Sequence, residues 1–243
     1  MSQQIKVARK IEFMGAASYL PNIKGNICPE RIIDFDNFQG DLLTDEWALN
    51  TAHGGTVAIV AISGGAMRLS SSTTDNDKAE AARGIMFKAD RNCAIEARIK
   101  VDNITTVGMV MGFADAASYS DNQVAFEIDG STIVDRCSNG VAWVFDTDAT
   151  AKYWHYCNTK ANEQAGTSIA IAPVAATWER FRIALDKDGN ATFYRNGVLK
   201  GHKASAVTDS TLLCPYFAVI SRVGTAARVM DAGKYMAWQD DEI

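Results

Sequence analysis

The sequence lacks the features of membrane proteins and of nucleic-acid-binding proteins. No stretch of its 243 residues approaches the roughly 18 consecutive apolar residues of a membrane-spanning helix. The first ten residues are polar and lead into no long apolar run, so we expect no secretory signal and no membrane insertion. The net charge is −5 and the basic residues are scattered. Because nucleic-acid binding requires a basic patch that neutralises phosphates, we expect no nucleic-acid partner.

Cysteines are few and follow no metal-binding pattern. The five cysteines include no Cys-x-x-Cys pair and are widely spaced, at positions 28, 93, 137, 157 and 214. This argues against a disulfide framework and a zinc ribbon, and it favours small buried thiols in a reducing environment. The chain also has no P-loop, no dinucleotide fingerprint and no Gly-x-Ser-x-Gly nucleophile elbow. We therefore predict no cofactor and no enzymatic activity.

Helical periodicity is nearly absent, and short apolar or alternating runs take its place. Only residues 77–82 are expected to form a helical turn or two. In the run 93–101, apolar and charged side chains alternate from Ile95 to Val101, which predicts a half-buried strand. Residues 106–113 are more uniformly apolar, which is typical of a central strand. Asn196-Gly197 separates two further strand-like runs and predicts a tight hairpin turn.

Many strands joined by turns predict an all-β protein, a two-sheet sandwich or jelly roll, rather than alternating strands and helices. The sandwich is expected to span residues 34–243. Residues 1–33 mix short apolar groups with chain breakers, and we interpret them as an extended N-terminal arm.

Several motifs resemble those of concanavalin A/laminin-G-like domains. The resemblance covers residues 34–243 and is carried by Phe35-Asp36-Asn37-Phe38-Gln39-Gly40 with Trp47, by Gly64-Gly65 with Leu69, and by Trp178 with Ile183, Asp188-Gly189, Phe193-Tyr194 and Gly197. The resemblance implies a concanavalin A-like jelly roll. It does not imply an activity, because such sandwiches host many functions.

A second resemblance concerns the segment from Val141 to Thr150, followed by Tyr153-Trp154, which is similar to jelly-roll domains in phage structural proteins. It implies a virion protein, assembled in the host cytoplasm, that decorates the capsid or forms part of a fibre. In this hypothesis the protein is a homo-oligomer and its arm docks on capsid subunits or other virion proteins. The arm residues expected to bind the partner are Phe13, Met14, Tyr19 and Leu20.

An aromatic cluster supports an alternative hypothesis, a carbohydrate-binding adhesin on the same fold. Tyr153, Trp154 and Tyr156 would stack on sugar rings or anchor a protein interface if they were exposed. On a strand, Trp154 and Tyr156 would share one face. Packing into the core is the other interpretation of the cluster.

Glu127-Ile128-Asp129 resembles the first half of the Glu-Ile-Asp-x-x-Glu motif of laminarinase-type glycosidases, which implies a third, less favoured function. The second glutamate is missing, since Gly130 and Ser131 follow directly, so the motif supplies only half of the carboxylate pair that glycoside hydrolysis needs. We favour a strand that ends in an Asp-Gly turn. A second carboxylate about 5–10 Å from Glu127 in a groove would support the glycosidase hypothesis, and the absence of one would contradict it.

Asp146-Thr147-Asp148 follows an apolar run and ends in Thr150, which resembles the nucleophile motif of haloacid dehalogenase phosphatases. That family requires a parallel sheet with helices on both faces, and this chain lacks the helical pattern. A polar loop with a weak calcium site near Asp146 and Asp148 is the favoured interpretation. His155 and Cys157 would share a strand face, but a metal site would need further ligands, so we predict no metal there.

Overall fold

The computed structural model describes residues 3–6, 31–40, 43, 45–51, 54–120, 122–222, 224 and 226–240. Within these ranges the regular secondary structure is almost entirely β-strand. No helix in this part of the chain is long and apolar enough to cross a membrane. The strands, in chain order, are β1 (Gln3–Lys6), β2 (Arg31–Asp36), β3 (Ala48–Asn50), β4 (Thr56–Val60), β5 (Ala66–Ser70), β6 (Lys78–Ala82), β7 (Ala94–Val101), β8 (Val107–Ala114), β9 (Phe126–Asp129), β10 (Thr132–Asp135), β11 (Asn139–Asp146), β12 (His155–Lys160), β13 (Glu163–Ser168), β14 (Glu179–Leu185), β15 (Ala191–Arg195), β16 (Val198–Lys203), β17 (Cys214–Ser221) and β18 (Val229–Asp240). A 3-10 turn, Ala89–Arg91, precedes β7.

These strands form two large antiparallel sheets. The nine-stranded sheet has the order β1-β2-β18-β7-β14-β15-β16, with β5 beside β18 and β4 beside β5. The seven-stranded sheet has the order β13-β12-β11-β8-β17-β6-β3, and β9 and β10 form a separate hairpin. One apolar cluster contains residues from both large sheets. The predicted two-sheet jelly-roll sandwich is therefore confirmed.

Aromatic rings fill the space between the sheets. Trp143 on β11 contacts Phe181 on β14 and Phe193 on β15, with ring centroids 5.2 and 5.8 Å apart. All three side chains are buried. Because aromatic side chains bury the largest apolar area per residue, these contacts dominate the packing of one sheet on the other.

The clearest strand predictions are confirmed. In β7 the apolar residues are buried while Glu96, Arg98 and Lys100 are partly exposed. All eight residues of β8 are buried, as expected for a central strand. The turn between β15 and β16 has positive φ at both Asn196 and Gly197, which is the backbone geometry that the hairpin signal predicts.

The prediction of a helical turn at residues 77–82 is wrong. Residues Lys78–Ala82 form β6, which pairs with β17 on one side and β3 on the other. Its Lys-Ala-Glu-Ala-Ala sequence has helix-forming residues, but burial between two sheet neighbours overrides that local propensity.

The strand β2 crosses the boundary predicted between the arm and the sandwich. It pairs with β18 on one side and with β1 on the other. Arg31–Asp36 is therefore an integral strand of the nine-stranded sheet.

The described cysteines are buried thiols, as predicted. Cys93, Cys137, Cys157 and Cys214 are free and buried, while Cys28 lies outside the described residues. Burial raises the pKa of the Cys214 thiol to about 12, and it also raises the thiol pKa of the other three. These thiols are therefore protonated at neutral pH and serve as small apolar side chains.

The seven-stranded sheet is also covered on its outer face, the face turned away from the nine-stranded sheet. A second apolar cluster joins outward side chains of β8, β11 and β17 to residues 124–126 and 128. We call the described residues between 115 and 138 the cap; it includes the β9–β10 hairpin. Because of the cap, the central strands of this sheet are buried on both faces.

A buried lysine fastens the cap to the sheet. The side chains of Lys78 and Glu80 on β6 are fully buried and form an ion pair of 2.7 Å. The Lys78 ammonium also donates to three carbonyl oxygens of the cap, those of Tyr119, Ser120 and Gln123, at 2.9, 2.9 and 2.6 Å. The charge is thus both paired and fully hydrogen-bonded, as a buried cation requires.

Glu80 receives further donors. The Tyr216 hydroxyl donates to Glu80 and in turn accepts a hydrogen bond of 3.2 Å from the backbone N–H of Ala125 in the cap. The Asn50 side-chain amide donates to Glu80 at 2.8 Å. Burial raises the pKa of Glu80 above its ordinary value, even though these donors and Lys78 act in the opposite direction.

Gly112 provides a test of the sheet packing. A Cβ atom at Gly112 would overlap the backbone carbonyl oxygen of Val141 on the adjacent β11. We expect Gly112→Ala to lower the free energy of unfolding by about 2–3 kcal/mol or more, because the backbone cannot yield without displacing the strand. Gly84→Ala is the control, since its nearest neighbour is the mobile end of Met86. Equal stability of the two variants in urea unfolding would contradict this packing.

Lys78 provides a test of the cap attachment. Lys78→Met should cost about 3–5 kcal/mol of unfolding free energy, because it leaves Glu80 buried without its cation. Hydrogen exchange should also accelerate in residues 122–126. Lys187→Met is the control, because the Lys187 side chain is 72% exposed and its surface ion pair contributes little. Unchanged exchange in the cap would show that Lys78 does not hold it.

Candidate functional site

A polar pocket opens where the cap meets the ends of two central strands. It has a volume of about 380 Å³, within the usual size range of small-molecule sites. We call it the Arg222 pocket. The polar side chains that define it are Asn76, Asn122, Glu127, Asp129, Asp148 and Arg222.

Arg222 is the centre of the pocket, and its position follows from sheet order. Arg222 directly follows β17, and Asp146 ends β11; both strands flank β8. The Arg222 guanidinium binds Asp146 through two contacts, Nε to Oδ1 at 3.0 Å and Nη2 to Oδ2 at 2.5 Å. The side chains of Arg222 and Asp146 are only 5% and 1% exposed. This bidentate pair is the strong form of a charge-assisted hydrogen bond.

Further acceptors surround the same guanidinium. Nη2 contacts the Glu127 carboxylate at 3.1 Å, Nε lies 3.5 Å from the Asp148 carboxylate, and Nη1 donates to the Asn76 side chain at 2.7 Å. Burial alone would lower the pKa of Arg222, but its hydrogen bond to Asp146 and the surrounding carboxylates raise it. Arg222 is therefore a fixed cation at all accessible pH values.

Asp146 also fixes the cap hairpin beside the pocket. Its Oδ2 accepts a hydrogen bond of 3.1 Å from the backbone N–H of Ile128 on β9. The backbone N–H of Gly130 donates to the carbonyl oxygen of Asp148 at 3.1 Å. Glu127 and Asp129 are consequently held next to Asp148, and the geometry of the pocket is set before any ligand binds.

The two accessible carboxylates beside Arg222 differ in environment. Glu127 is 12% exposed and is contacted by Arg222 at 3.1 Å and by Arg136 at 3.7 Å. Asp148 is 48% exposed, and burial raises its pKa above the ordinary 3.8, with Arg222 opposing the shift only in part. Asp148 therefore takes up a proton at a higher pH than an ordinary aspartate.

Glu127 and Asp129 lie on β9, which ends in an Asp-Gly turn with φ of 60° at Gly130, as predicted. The strand belongs to the two-stranded hairpin, not to either large sheet. Asp148, a carboxylate from outside the motif, lines the same pocket as Glu127.

The phosphatase fold is excluded, since both large sheets are antiparallel. The Arg222 guanidinium contacts both carboxylates of the predicted calcium site, Asp146 at 2.5 Å and Asp148 at 3.5 Å. Among the described residues there is no group of three or more histidine, cysteine, aspartate or glutamate side chains that could hold a metal. His155 contacts the carbonyl oxygen of Tyr153 at 2.9 Å, and burial lowers its pKa.

The predicted aromatic cluster divides between core and surface. Trp154 is 3% exposed and donates a hydrogen bond of 2.8 Å to Glu179. Tyr156 stacks on Phe193 in the core, with ring centroids 4.8 Å apart. Tyr153, at 40% exposure, is the member that lies on the surface. Core packing is thus the structural role of Trp154 and Tyr156.

The predicted arm residues, Phe13, Met14, Tyr19 and Leu20, lie outside the described residues. Several residues of the pocket, among them Arg222 and Asn76, belong to no motif in the sequence. The one available signal for Arg222 was a charged residue at the end of a fully buried strand, since Cys214–Ser221 is buried throughout.

Comparison with known proteins places the fold. No protein-family model matches the chain, and no curated protein sequence matches it. Several solved structures, in contrast, have a similar fold. The potassium-bound carbohydrate recognition domain of Emp46p has a TM-score of 0.57 at 11% identity, over 86% of this chain and 96% of that one. The β-glucanase of Bacillus licheniformis has a TM-score of 0.55 at 11% identity, over 85% and 97%.

A third solved structure, the endo-β-1,4-glucuronan lyase of the fungus Trichoderma reesei, has a TM-score of 0.55 at 10% identity, over 83% of this chain and 94% of that one. Identities this low establish a common architecture and nothing about the site. The chain has the concanavalin A-like jelly-roll fold of lectin domains and glucanases.

Proposed function

We propose that this protein is a non-enzymatic carbohydrate-binding module that holds a neutral glycan in the Arg222 pocket. The observation that carries the proposal is the convergence of carboxylate and amide side chains on one arginine that is itself held by three carboxylates. Such a site offers several fixed acceptors and donors in a small volume, which suits a ligand rich in hydroxyl groups.

The charge of the pocket favours a neutral ligand. Glu127, Asp129 and Asp148 line it together with the cations Arg136 and Arg222, and the buried Asp146 already pairs with Arg222. Apart from the Arg222–Asp146 pair, the pocket therefore has three carboxylates, those of Glu127, Asp129 and Asp148, and one cation, Arg136. An anionic sugar would therefore be repelled, whereas hydroxyl groups donate readily to carboxylate oxygens.

The fold supports a carbohydrate ligand. The similar structures include a carbohydrate recognition domain, a glucanase and a glucuronan lyase. At 10–11% identity none of their sites transfers to this chain, so the proposal rests on the pocket and takes only the ligand class from the fold.

The contacts of Glu127 favour binding over catalysis. One oxygen lies 3.1 Å from Arg222, and the other faces Arg136 at 3.7 Å and the backbone N–H of Val124 at 3.5 Å. Because protein donors and cations already contact both oxygens, the Glu127 carboxylate is poorly placed to attack a substrate.

Glycoside hydrolysis is the second candidate, because Glu127 and Asp148 share one pocket and the pKa of Asp148 is raised. A raised pKa is typical of the general acid in such enzymes. Release of nitrophenol from aryl glycosides by the wild-type protein, abolished in Glu127→Gln, would establish this function in place of pure binding.

The virion hypothesis remains a prediction from the sequence. It would place the module on the outside of a particle, where glycan binding would serve attachment to a surface. Its docking residues belong to the N-terminal arm, and mass spectrometry of purified particles is the direct check.

The binding proposal predicts selective loss of glycan affinity in pocket variants. The wild-type protein should bind neutral oligosaccharides on a mixed glycan array, with affinity then measured by calorimetry. Asp129→Asn and Asn122→Ala should each weaken binding about tenfold, the equivalent of one lost hydrogen bond. Glu163→Gln is the matched control, because Glu163 is exposed on the edge strand β13. Absence of any neutral glycan among the wild-type ligands would refute the proposal.

The raised pKa of Asp148 predicts the acid dependence of binding. Its carboxylate is a stronger acceptor when ionised, so affinity should fall as the pH drops, and the fall should begin at a higher pH than it would for an aspartate with an ordinary pKa. Asp148→Asn should bind more weakly at neutral pH but retain its affinity to lower pH than the wild type. Calorimetric titrations between about pH 7 and pH 4 test this. Identical pH profiles would remove Asp148 from the site.

A further inference from the structure

The outer surface of the nine-stranded sheet carries a concentration of basic side chains in an acidic protein. Arg98 and Lys100 on β7 and Arg180 and Arg182 on β14 alternate with buried residues and project from the same face. The whole chain has 24 basic and 29 acidic residues. This face therefore has a local excess of positive charge, although the net charge of the whole protein is negative.

The pairing register brings like charges together. Arg98 lies directly opposite Arg180 across the β7–β14 pair, and Glu96 lies opposite Arg182. Two cations opposite each other destabilise an antiparallel pair. Arg180 is 53% exposed, and its ion pair with Glu96 is long, at 3.8 Å. Glu96, and Asp231 through its ion pair of 2.9 Å with Lys100, offset part of this positive charge. A bound anionic ligand would offset the rest.

Aromatic rings hold the cations in place. The Arg98 guanidinium and the Lys100 ammonium lie over the Trp178 ring, 4.8 and 5.0 Å from its centroid. The Arg182 guanidinium lies over both Trp238 and Tyr194, at 5.0 and 5.5 Å. Stacking of this kind fixes the orientation of a guanidinium while leaving its edge free to bind a carboxylate.

A depression of about 330 Å³ lies on this surface, lined by Glu96, Arg180, Arg182, Tyr194 and Gly197. Tyr194 and Arg182 face each other across the β14–β15 pair. The Nε atoms of Arg98 and Arg182 have no hydrogen-bond partner among the described residues. Both Nε atoms are buried, so these two guanidinium groups are ordered mainly by stacking on the aromatic rings.

We propose that this basic aromatic face binds a carboxylate-bearing polysaccharide, with the Arg180 and Arg182 guanidinium groups on its carboxylates and Tyr194 against a sugar ring. The site is separate from the Arg222 pocket: it lies on the other sheet, and its charge has the opposite sign. Bidentate guanidinium–carboxylate contacts match this arrangement. A nucleic acid fits less well, because the net charge of −5 repels a polymer with such closely spaced phosphates.

Binding of polygalacturonate, measured by affinity electrophoresis and calorimetry at low salt, tests the proposal. The wild-type protein should bind it, and binding should weaken in high salt. Arg180→Gln combined with Arg182→Gln should reduce affinity at least tenfold. Arg180→Lys combined with Arg182→Lys should restore it only in part, since lysine keeps the charge without the bidentate geometry. Lys187→Gln, an exposed lysine outside the face, is the control.

Other probes separate the alternatives. Dextran measures neutral binding, heparin measures sulfate binding, and single-stranded DNA measures nucleic-acid binding. Binding of heparin or DNA but not polygalacturonate would overturn the proposal, as would unchanged polygalacturonate affinity in the double glutamine variant. Asp129→Asn should leave polygalacturonate binding intact, so failure of this proposal and failure of neutral-glycan binding in the Arg222 pocket are distinguishable.

Discussion

Burial of the seven-stranded sheet on both faces is the constraint on which the rest of the structure depends. The nine-stranded sheet covers one face through the aromatic contacts of Trp143, and the cap covers the other. A polar side chain on a central strand then has no access to water, so it must be paired within the protein or it would cost several kcal/mol. Two polar clusters satisfy this requirement, one around Lys78 and Glu80 and one around Arg222 and Asp146.

These two clusters have different consequences because of their positions. The Lys78–Glu80 pair lies beneath the cap and is fully enclosed, so it fastens one element to another. The Arg222–Asp146 pair lies at the strand ends, where the cap hairpin leaves an opening. Buried charges must be paired at both positions. The Lys78–Glu80 pair consequently attaches the cap to the sheet, and the Arg222–Asp146 pair forms a preorganised polar pocket.

The protein separates its charges between opposite sides of the sandwich. The Arg222 pocket lies on the capped side and has more carboxylates than cations, whereas the outer face of β7 and β14 presents arginine and lysine on aromatic rings. Because Coulomb interactions are screened over about 10 Å at ordinary salt, the charge of one surface has little effect on binding at the other. The two proposals accordingly assign a neutral glycan to one surface and an anionic polysaccharide to the other.

Features that depend on local interactions along the chain could be predicted from the sequence, whereas features that depend on contacts between distant segments could not. The alternation in β7 and the Asn196-Gly197 turn depend on side-chain spacing and on backbone φ, both local properties, and they were identified directly. The β6 segment was misassigned because its local propensity is helical, while its actual state is decided by pairing with β17 and β3. The sequence pattern identified Glu127 as a candidate site residue, but it did not identify Arg222, which contacts Glu127 in the structure.

The sequence by itself determined the all-β class, because hydrophobic period and turn chemistry act over a few residues. The jelly-roll architecture was implied by the resemblance of its motifs to concanavalin A/laminin-G-like domains, and the free thiols by the wide spacing of the cysteines. Only the tertiary structure decided that Glu127 meets Arg222, 95 positions away, and that Trp154 faces the core. It likewise decided that Arg98 lies opposite Arg180. Such contacts depend on which strands become neighbours and in what register, and a one-residue shift in register would turn every side chain to the other face.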